Sequence, residues 1–548
     1  MIKKINKTFF ITLIGMAITF IFLATTKSDT YRQIAQSQRL INDVYKNIVT
    51  YYVDELNIEE FTRVTLEGMV SAMDPYTVYL EADEHEGLDL LTTGKYSGVG
   101  MQISRRDNQI TVIAPIEDSP AERSGILSGD IIVKIDDTET DNLNLNETSK
   151  MIRGKKGTQV VLYIKRFDLA EPLEFTLTRA DIRIKDVPYA EFITDDIGYI
   201  RLTRFTSNSV KETKQALNKL NTDGLKALII DLRDNPGGLL NSAINILDML
   251  VADKQLLLTT HGRIKGSTKE LYSRNEPIID PEVKIAILIN NGSASASEII
   301  AGVIQDLDRG IVVGSQSFGK GLVQSVVNLD KDKILKITTA KYYTPSGRLI
   351  QKDGYIDNSL IHENIKVDSL FSTINGRVVS SGGGIFPDFE SSPLPNLPLT
   401  TECYRQGIFF SFIQKQKHNY SDFSQIAKDE NLLFDFKEYL KEINLEIPIP
   451  GEKNFNQAIM EFAKLDSSST DLQLAIDNIN KFIDANELEF FKLERQYIEN
   501  ILLEEFAFQF DGDTGRFRER LKTDEAVIKT IKIINDDISY EQVLVAEK

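Results

Sequence analysis

A short apolar run followed by a turn of small residues constrains the fold of this chain more than any other feature. The run extends from Ile285 to Ile289, and the turn is Asn291-Gly292-Ser293-Ala294-Ser295-Ala296-Ser297. Glu298 to Ile304 then carries apolar residues at helical spacing. Because a short, continuously apolar run is typical of a strand buried on both faces, the segment predicts a strand, a turn and a helix within an α/β sheet.

The turn places serine hydroxyls at the predicted start of the helix. Backbone N–H groups at that position have no partner within the helix, and the helix dipole favours negative charge there. Such a turn suits a nucleophile whose attack creates an oxyanion. Serine and alanine are also ordinary residues near a helix cap, so the turn alone is compatible with a purely structural role.

A serine nucleophile needs a base, which is usually histidine. The chain has four histidines, each in polar or charged surroundings typical of a protein surface: His85, His261, His362 and His418. A lysine can act instead when burial lowers its pKa, because desolvation disfavours the ammonium form. Lys320 lies between two glycines after the apolar run Ile311 to Val313. This position makes Lys320 the candidate base.

Two motifs together resemble those of a known family. They are Gly292-Ser293-Ala294-Ser295-Ala296-Ser297-Glu298 and Phe318-Gly319-Lys320-Gly321 followed by Val323-Gln324. Both are similar to the carboxyl-terminal processing peptidases, the serine proteases of family S41. The resemblance covers roughly residues 35 to 390. It implies that Ser295 is the nucleophile, that Lys320 is the general base and that Gln324 orients this base.

A second turn contains Pro236-Gly237-Gly238, between the apolar run Ala227 to Asp231 and a predicted helix from Leu239 to Leu250. This sequence is equally compatible with a structural turn that begins the helix and with backbone that approaches a substrate carbonyl closely. The resemblance implies an oxyanion hole formed by the N–H of Ala296 and by Gly237 or Gly238, without deciding between the two glycines. Asp231 and Asp234 lack a second acidic cluster, so we expect local hydrogen bonds and no metal site.

Residues from about Tyr96 to Thr178 alternate in the manner of strands, with a short helix predicted from Thr148 to Arg153. Ser119-Pro120-Ala121-Glu122-Arg123-Ser124-Gly125-Ile126 followed by Gly129-Asp130-Ile131-Ile132 resembles a PDZ domain. The resemblance implies that the loop Gly98-Val99-Gly100-Met101 binds the terminal carboxylate of a peptide, which adds as a strand to the sheet edge. Taken by itself, Gly-x-Gly also fits a plain turn.

The amino-terminal segment predicts export. Lys3, Lys4 and Lys7 precede an uncharged, mostly apolar run from Phe9 to Thr26. We favour an uncleaved anchor in the inner membrane, with the rest of the chain on the periplasmic side of the cell envelope. The alternative is a soluble exported protein whose signal peptide is removed. Ile34 to Leu91 then reads as helices, broken at Asp74-Pro75-Tyr76.

Beyond the proline-rich segment 393–398 the chain becomes charged and helix-favouring. Phe490, Leu493, Tyr497 and Ile501 recur at intervals of three and four residues. This amphipathic stripe predicts the core of a helical C-terminal domain, since such stripes more often pack internally than bind partners.

Length and composition set the limits on this architecture. A chain of 548 residues is too long for one core. We predict a signal anchor or signal peptide over 1–29, an N-terminal helical segment over 30–92, a mainly-β PDZ domain over 93–180 inserted before an α/β peptidase core over 181–390, and a helical C-terminal domain over 391–548. The net charge of −18 argues against nucleic acid as a partner. The single cysteine excludes an internal disulfide and a cysteine-based zinc site.

These features predict a serine endopeptidase that uses a Ser-Lys dyad, without metal or cofactor. Its partners would be protein or peptide substrates with free C-termini, and the membrane through the N-terminal segment. Two other functions remain open. One is a binding protein on the same scaffold, similar to retinoid-binding relatives of this core, and the other is a PDZ scaffold with an inert α/β domain. Labelling by a fluorophosphonate distinguishes the enzyme from both.

Overall fold

The structure is a computed structural model, and it divides after Tyr79 into two compact units. It describes residues 31–545 apart from 82–89, 91, 107, 167–168, 223, 353–368, 392–394, 396, 446–456, 463–469, 471–472, 479–480 and 482–490. The predicted export segment from Phe9 to Thr26 lies outside these residues. Within the described part of the chain, helices that combine the length and apolarity needed to cross a bilayer are absent.

The described residues of the first unit contain two helices, α1 over 31–51 and α2 over Ile58–Ser71. The side chain of Asn57 caps α2 by accepting the N–H of Glu60 at 3.2 Å. The ring of Tyr45 on α1 lies 5.3 Å from that of Phe61 on α2, and its hydroxyl lies 2.7 Å from Thr62 Oγ1. The prediction of helices in this segment is therefore confirmed for residues 31–71.

The prediction of helix as far as Leu91 is wrong at Val78–Glu81, which forms strand β1. Asp74 ends the helical part, because its Oδ1 accepts the N–H groups of Tyr76 and Thr77 at 2.9 and 3.0 Å. Proline at position 75 also disfavours helical backbone in the residue before it. The Val-Tyr-Leu sequence that follows has strong strand propensity, which a reading centred on helical spacing overlooked.

The predicted PDZ domain is a six-stranded antiparallel sheet, in which β3, β4, β5, β7 and β8 follow one another and β6 pairs with β5. Strands β2 and β9, where the chain enters and leaves the domain, pair with each other. The bounds are β2 Lys95–Gly98, β3 Met101–Arg106, β4 Gln109–Pro115, α3 Pro120–Arg123, β5 Ile131–Ile135, β6 Thr138–Glu139, α4 Leu145–Ile152, β7 Gln159–Lys165, β8 Leu173–Thr178 and β9 Ala180–Arg183. Helix α4 begins earlier than predicted because Asn144 and Glu147 form a capping box.

The peptidase core is built on a six-stranded sheet in the order β10–β11–β12–β15–β16–β21. All neighbours are parallel except β10 and β11. The elements are β10 Tyr189–Phe192, β11 Ile197–Arg201, α5 Ser209–Leu220, β12 Ala227–Asp231, α6 Leu240–Leu247, β15 Lys284–Ile289, α7 Ala296–Asp306, β16 Ile311–Gly314 and β21 Phe389–Glu390. Leu228 and Ile230 face a core that includes residues of α5, α6 and α7, whereas Ala227 and Ile229 face the opposite core. This two-sided burial explains the continuous apolar runs.

A second, antiparallel sheet lies beside this core, with β14 paired to β13, β13 to β18 and β18 to β17. Its strands are β13 Leu256–His261, β14 Lys269–Tyr272, β17 Leu322–Asp330 and β18 Lys333–Tyr343, and a ribbon of β19 Leu370–Ser372 and β20 Val378–Ser380 follows. Strand β17 matters for the site because it begins two residues after Lys320.

The C-terminal part is helical, as predicted, with a core that contains Phe412, Phe436 and Phe506. The helices are α8 Pro398–Gln406, α9 Ile408–Gln416, α10 Phe423–Ile426, α11 Leu432–Glu442, α12 Arg495–Leu521, α13 Glu525–Asn535 and α14 Asp537–Val543. Helix α12 is broken at Asp511 and Gly512, where the backbone angles are not helical. After this break, Val527 and Tyr540 pack on the face of the peptidase sheet that α5–α7 leave uncovered.

The predicted core stripe of this domain is wrong at Leu493 and right at Ile501, which is partly buried and packs against the helical core. Phe490 lies outside the described residues, and Leu493 precedes α12 and is 70% exposed. The fully buried large apolar residues in the first half of α12 are Ile498, Leu502 and Phe506, which also recur at intervals of four. Several apolar residues lie in this stretch, so spacing alone allowed two overlapping stripes, and contact with the other helices selected one of them.

Candidate active site

Ser295 lies at the turn between β15 and α7, in a backbone conformation that is rare for any residue except glycine. Its φ is +55° and its ψ is −110°. A non-glycine residue in such a region costs about 1–3 kcal/mol and persists only where the surrounding structure enforces it. The N–H of Ser295 donates to Glu298 Oε2 at 2.8 Å. The residue is half-buried and lies directly before the first residue of α7.

The two neighbouring serines have structural partners. The hydroxyl of Ser293 donates to Leu232 O at 2.8 Å and accepts the N–H of Asn290 at 2.9 Å. The hydroxyl of Ser297 donates to Asn235 O at 2.9 Å. Both serines are fully buried, so Ser295 is the serine of this turn that is partly exposed to solvent.

Lys320 lies in the loop between β16 and β17 and is half-buried. Its N–H donates to Glu298 Oε2 at 2.9 Å. The hydroxyl of Tyr342, on β18, lies 2.5 Å from Lys320 O and 3.2 Å from Ser295 O. The N–H of Phe318 also donates to Ser293 O at 3.0 Å. The structure therefore joins the backbones of the two sequence motifs directly.

Glu298 is the residue that sequence reasoning passed over. Its carboxylate is buried and accepts four hydrogen bonds, from the N–H groups of Ser295, Gly319 and Lys320 and from the hydroxyl of Ser317 at 2.5 Å. Burial raises the pKa of Glu298 to about 7 against the effect of these donors. A signal was present in the sequence, because a glutamate three residues after a serine at a helix start is the pattern of a capping box.

Gln324 lies on β17, four residues after Lys320, where the pairing with β18 is irregular between Val323 and Gln324. Its amide nitrogen donates to Thr338 Oγ1 at 3.3 Å. This hydrogen bond fixes the plane of the amide. The structure thus places Gln324 on β17, the strand that directly follows the loop carrying Lys320, which we call the lysine loop.

The stretch Asp231–Gly238, which we call the glycine turn, packs against the turn of residues 291–297, which we call the serine turn. Asn235 O accepts the N–H of Ala294 at 3.0 Å. Gly237 has a φ of +97°, and a Cβ placed on it would lie 2.6 Å from Ala294 O and 2.9 Å from Ala296 N. Only glycine fits such a close approach. The glycine turn and the start of α7 are therefore in van der Waals contact.

The two glycines of this turn differ in how their N–H groups are used. Gly237 is buried and its N–H donates to Asn235 Oδ1 at 2.9 Å. Gly238 is exposed, and within the described residues its N–H has no hydrogen-bond acceptor. The N–H of Ala296, in the first turn of α7, is likewise without an acceptor in the described part of the chain.

Asp231 is the centre of an ion cluster at the start of the glycine turn. It accepts Tyr199 Oη at 2.6 Å and Arg201 at 2.7 Å, and Arg233 at 2.6 Å. Burial raises the pKa of Asp231, but Arg233 and Arg201 outweigh this effect and hold the pKa at about 2. Asp234 accepts the side-chain amide of Asn290 at 2.8 Å. These contacts are the local hydrogen bonds expected from the sequence.

The predicted peptide-binding loop Gly98–Met101 leads into β3, an edge strand of the PDZ sheet that runs beside helix α4. Gly100 O accepts Ile116 N at 3.0 Å and Ser119 Oγ at 2.9 Å. Gly100 has a φ of +80°, and a Cβ there would lie 2.2 Å from Ser119 Cβ. The loop therefore leads into a strand that lies at the edge of the sheet among the described residues.

Of the four histidines, His261 and His418 are exposed, and His85 and His362 lie outside the described residues. His261 contacts the ring of Tyr343 at 5.1 Å. Lys320 is connected to the serine turn through Glu298, which accepts its N–H, and through Tyr342, whose hydroxyl contacts the carbonyl oxygens of both Lys320 and Ser295.

Comparison with known proteins identifies three parts of the chain. The model of peptidase family S41 matches residues 196–360, that of the PDZ domain matches residues 111–166, and that of the C-terminal helical domain of a probable PDZ-protease matches residues 399–534. The last match agrees with the predicted helical C-terminal domain.

Two bacterial relatives are similar over most of their length. The carboxy-terminal-processing protease of Bartonella bacilliformis is 36% identical over 372 residues, covering 66% of this chain and 83% of the relative. The carboxyl-terminal-processing protease of Synechocystis is 35% identical over 368 residues, covering 63% and 84%. A solved structure, the photosystem II D1 C-terminal processing protease, is 26% identical, with a TM-score of 0.36, and covers 66% of this chain and 94% of that protein. The chain therefore belongs to the S41 carboxyl-terminal processing proteases and is a serine-type processing protease with a PDZ domain.

Proposed function

We propose that this protease cuts peptide bonds with a Ser295-Lys320 dyad that Gln324 supports. The observation that carries this proposal is the shared attachment of Ser295 and Lys320 to Glu298 Oε2, at 2.8 and 2.9 Å. A dyad requires that two loops keep one relative position through the reaction. A buried carboxylate that binds both backbones meets this requirement, and Tyr342 adds a second connection between them.

In the proposed reaction, Ser295 Oγ forms a bond to the carbonyl carbon of the substrate while its proton moves to neutral Lys320. The lysine then gives this proton to the leaving amine as the peptide bond breaks. Water then attacks the acyl carbon and passes a proton to Lys320. The ester bond to Ser295 Oγ breaks, and Lys320 returns the proton to Oγ as the new carboxyl terminus leaves. Gln324, fixed by Thr338, orients the lysine side chain.

The oxyanion would be stabilised by the N–H groups of Ala296 and Gly238. Both groups have no acceptor within the described residues, whereas the N–H of Gly237 is already bound to Asn235. Gly237 contributes by allowing the close approach of the two turns, since its Cβ position is occupied by the backbone of residues 294–296. The two glycines thus have different tasks, one as a donor and one as a spacer.

The PDZ domain would select substrates with a free carboxyl terminus. The loop Gly98-Val99-Gly100-Met101 offers backbone N–H groups to the carboxylate, and the edge of β3 accepts the peptide as an added strand. Met101 and Ile103, which pack with the domain core, favour an apolar last side chain. The basic, apolar amino-terminal segment supports a location on the periplasmic side of the cell envelope, with an anchor in the inner membrane.

The test is fluorophosphonate labelling of the full-length chain in detergent, run beside cleavage of β-casein, an unfolded substrate with a free carboxyl terminus. We expect both activities in the wild-type chain and neither in Ser295→Ala. A folded Ser295→Ala protein that still cleaves casein would overturn the assignment of the nucleophile. Mass spectrometry of the labelled peptide would then show which other serine reacts.

A further inference from the structure

Asp524, in the C-terminal helical domain, contacts the glycine turn. This residue lies at the start of α13, and its carboxylate accepts both terminal nitrogens of Arg233 at 3.1 and 2.8 Å. Two parallel bonds of this kind fix the guanidinium plane as well as its position. Arg233 is a member of the glycine turn, so a helix outside the S41 match region contacts the proposed oxyanion machinery directly.

Arg233 connects this helix to the buried carboxylate of Asp231. Its Nε lies 3.0 Å from Asp231 Oδ1, and its backbone N–H donates to the same oxygen at 2.9 Å. Burial lowers the pKa of Arg233, but Asp231 and Asp524 outweigh burial and keep the pKa well above its usual value. Without Asp524, Arg233 would lose one of the two carboxylates that hold it in place.

The start of α13 is itself held firmly. The side chain of Asp524 accepts the N–H of Val527 at 3.1 Å and so caps the helix, while Val527 packs into the sheet core. On α14, Tyr540 Oη donates to Ile285 O at 3.0 Å and accepts Ile285 N at 2.9 Å. Ile285 belongs to β15, the strand that leads to Ser295. The anchor of Arg233 is therefore fixed to the same sheet as the nucleophile.

The residues on either side of Arg233 in the chain form hydrogen bonds with the serine turn. Leu232 O accepts the hydroxyl of Ser293, and Asn235 O accepts the N–H of Ala294 and the hydroxyl of Ser297. A shift of the backbone at residue 233 would move both carbonyl groups. It would also move Gly238 relative to Ala296, and a donor displaced by a fraction of an ångström stabilises an oxyanion less well.

We propose that Asp524 is a positioning residue for catalysis: it fixes Arg233, and through Arg233 the glycine turn that stabilises the oxyanion. This inference rests on the proposed function. It gives the C-terminal helical domain a part in the chemical step, in addition to covering one face of the sheet.

The test compares Asp524→Asn with Asp536→Asn in the full-length chain. Asparagine is as good a helix cap as aspartate, so Asp524→Asn keeps the cap of α13 and removes the negative charge that holds Arg233. Asp536 caps the next helix, α14, by accepting the N–H of Ser539 at 3.4 Å, and it makes the matched control. We expect Asp524→Asn to lower kcat for casein about tenfold with KM little changed, a fraction of the 10²–10³ lost with a whole oxyanion donor. Asp536→Asn should keep wild-type kcat.

Two further measurements separate positioning from general stability. A peptide boronic acid mimics the tetrahedral intermediate, so its affinity should fall in parallel with kcat/KM in Asp524→Asn, while affinity for the uncleaved casein measured in the Ser295→Ala background stays the same. In an Arg233→Met background, Asp524→Asn should have little further effect, because its route to the site is already removed.

Equal kcat values for Asp524→Asn and Asp536→Asn would overturn the inference, as would additive losses in the double variant. A casein affinity that falls with kcat would also contradict it. Failure of the proposed function is distinguishable, since it appears as activity in Ser295→Ala, whatever the result at position 524.

Discussion

Ser295 and Lys320 donate their backbone N–H groups to one oxygen, Oε2 of Glu298, at 2.8 and 2.9 Å. The other oxygen of this carboxylate accepts Gly319 N at 2.7 Å and the hydroxyl of Ser317. A single buried side chain thus holds the helix start that carries the proposed nucleophile and the loop that carries the proposed base. The backbone strain at Ser295 is maintained by this contact, since its N–H is directed at the carboxylate.

Loss of either member of the dyad should abolish cleavage. We expect Ser295→Ala and Lys320→Ala each to reduce kcat to background, and the double variant to lose no more, because the two residues act as a unit. Gln324→Ala should retain part of the activity, since it orients the base without accepting the proton. Casein cleavage with circular dichroism as a control for folding checks this. Turnover by folded Lys320→Ala near the wild-type rate would show that another group accepts the proton.

Glu298 should make the stability of the fold depend on pH in a defined direction. Its pKa is raised from 4.5 to about 7, so as pH rises between these values the unfolded state loses the proton first and the native state keeps it. The free energy of unfolding should therefore fall across this range, by roughly 3 kcal/mol at about 1.4 kcal/mol for each pH unit.

The comparison is urea unfolding of Ser295→Ala with that of the Ser295→Ala/Glu298→Gln variant at pH 4.5, 5.5 and 7. The catalytic serine is removed to prevent self-cleavage. Glutamine does not titrate, so the double variant should lack this part of the pH dependence. Identical slopes for the two proteins would mean that Glu298 keeps an ordinary pKa.

The close approach of Gly237 to the serine turn predicts a selective effect of a methyl group. Gly237→Ala adds a Cβ within 2.9 Å of Ala294 O and Ala296 N, so we expect kcat to fall by at least about 10²-fold, comparable to loss of an oxyanion donor. Gly266→Ala is the matched control, because Gly266 has a φ of +94° and open space around its Cβ position. It should cost about 1 kcal/mol in stability and leave kcat unchanged. Equal activity of the two variants would argue against the assigned contact.

The PDZ loop predicts a requirement for a free carboxyl terminus. A peptide substrate with an amidated terminus should have a higher KM than the free acid, because the amide removes the charge that the backbone N–H groups receive. Gly100→Val should likewise raise KM for the free-acid substrate, since a side chain at position 100 meets Ser119. Gly157→Val, at a φ of +85° with open space, serves as the control. Cleavage of acid and amide with equal KM would leave the loop without its proposed role.

The sequence by itself determined the order of the domains and the chemical candidates. Continuous apolar runs at β12 and β15 require burial on both faces, so they marked a sheet of the α/β class before any contact was known. The turn residues and the lysine between two glycines marked a possible nucleophile and base, and the resemblance to the S41 family singled out Ser295 and Lys320.

Only the tertiary structure decided how distant segments meet. The sequence predicted a helical C-terminal domain, but not that Val527 and Tyr540 cover the peptidase sheet or that Asp524 binds Arg233. The sequence does not distinguish Gly237 from Gly238. Their N–H groups differ in hydrogen bonding because the side chain of Asn235 accepts the N–H of Gly237. In the sequence, Glu298 looks like a simple helix cap. In the folded chain the lysine loop lies beside it, so its four hydrogen-bond donors come from two segments that are distant in sequence. Local patterns depend on neighbours a few residues apart, whereas these contacts depend on the packing of the whole chain.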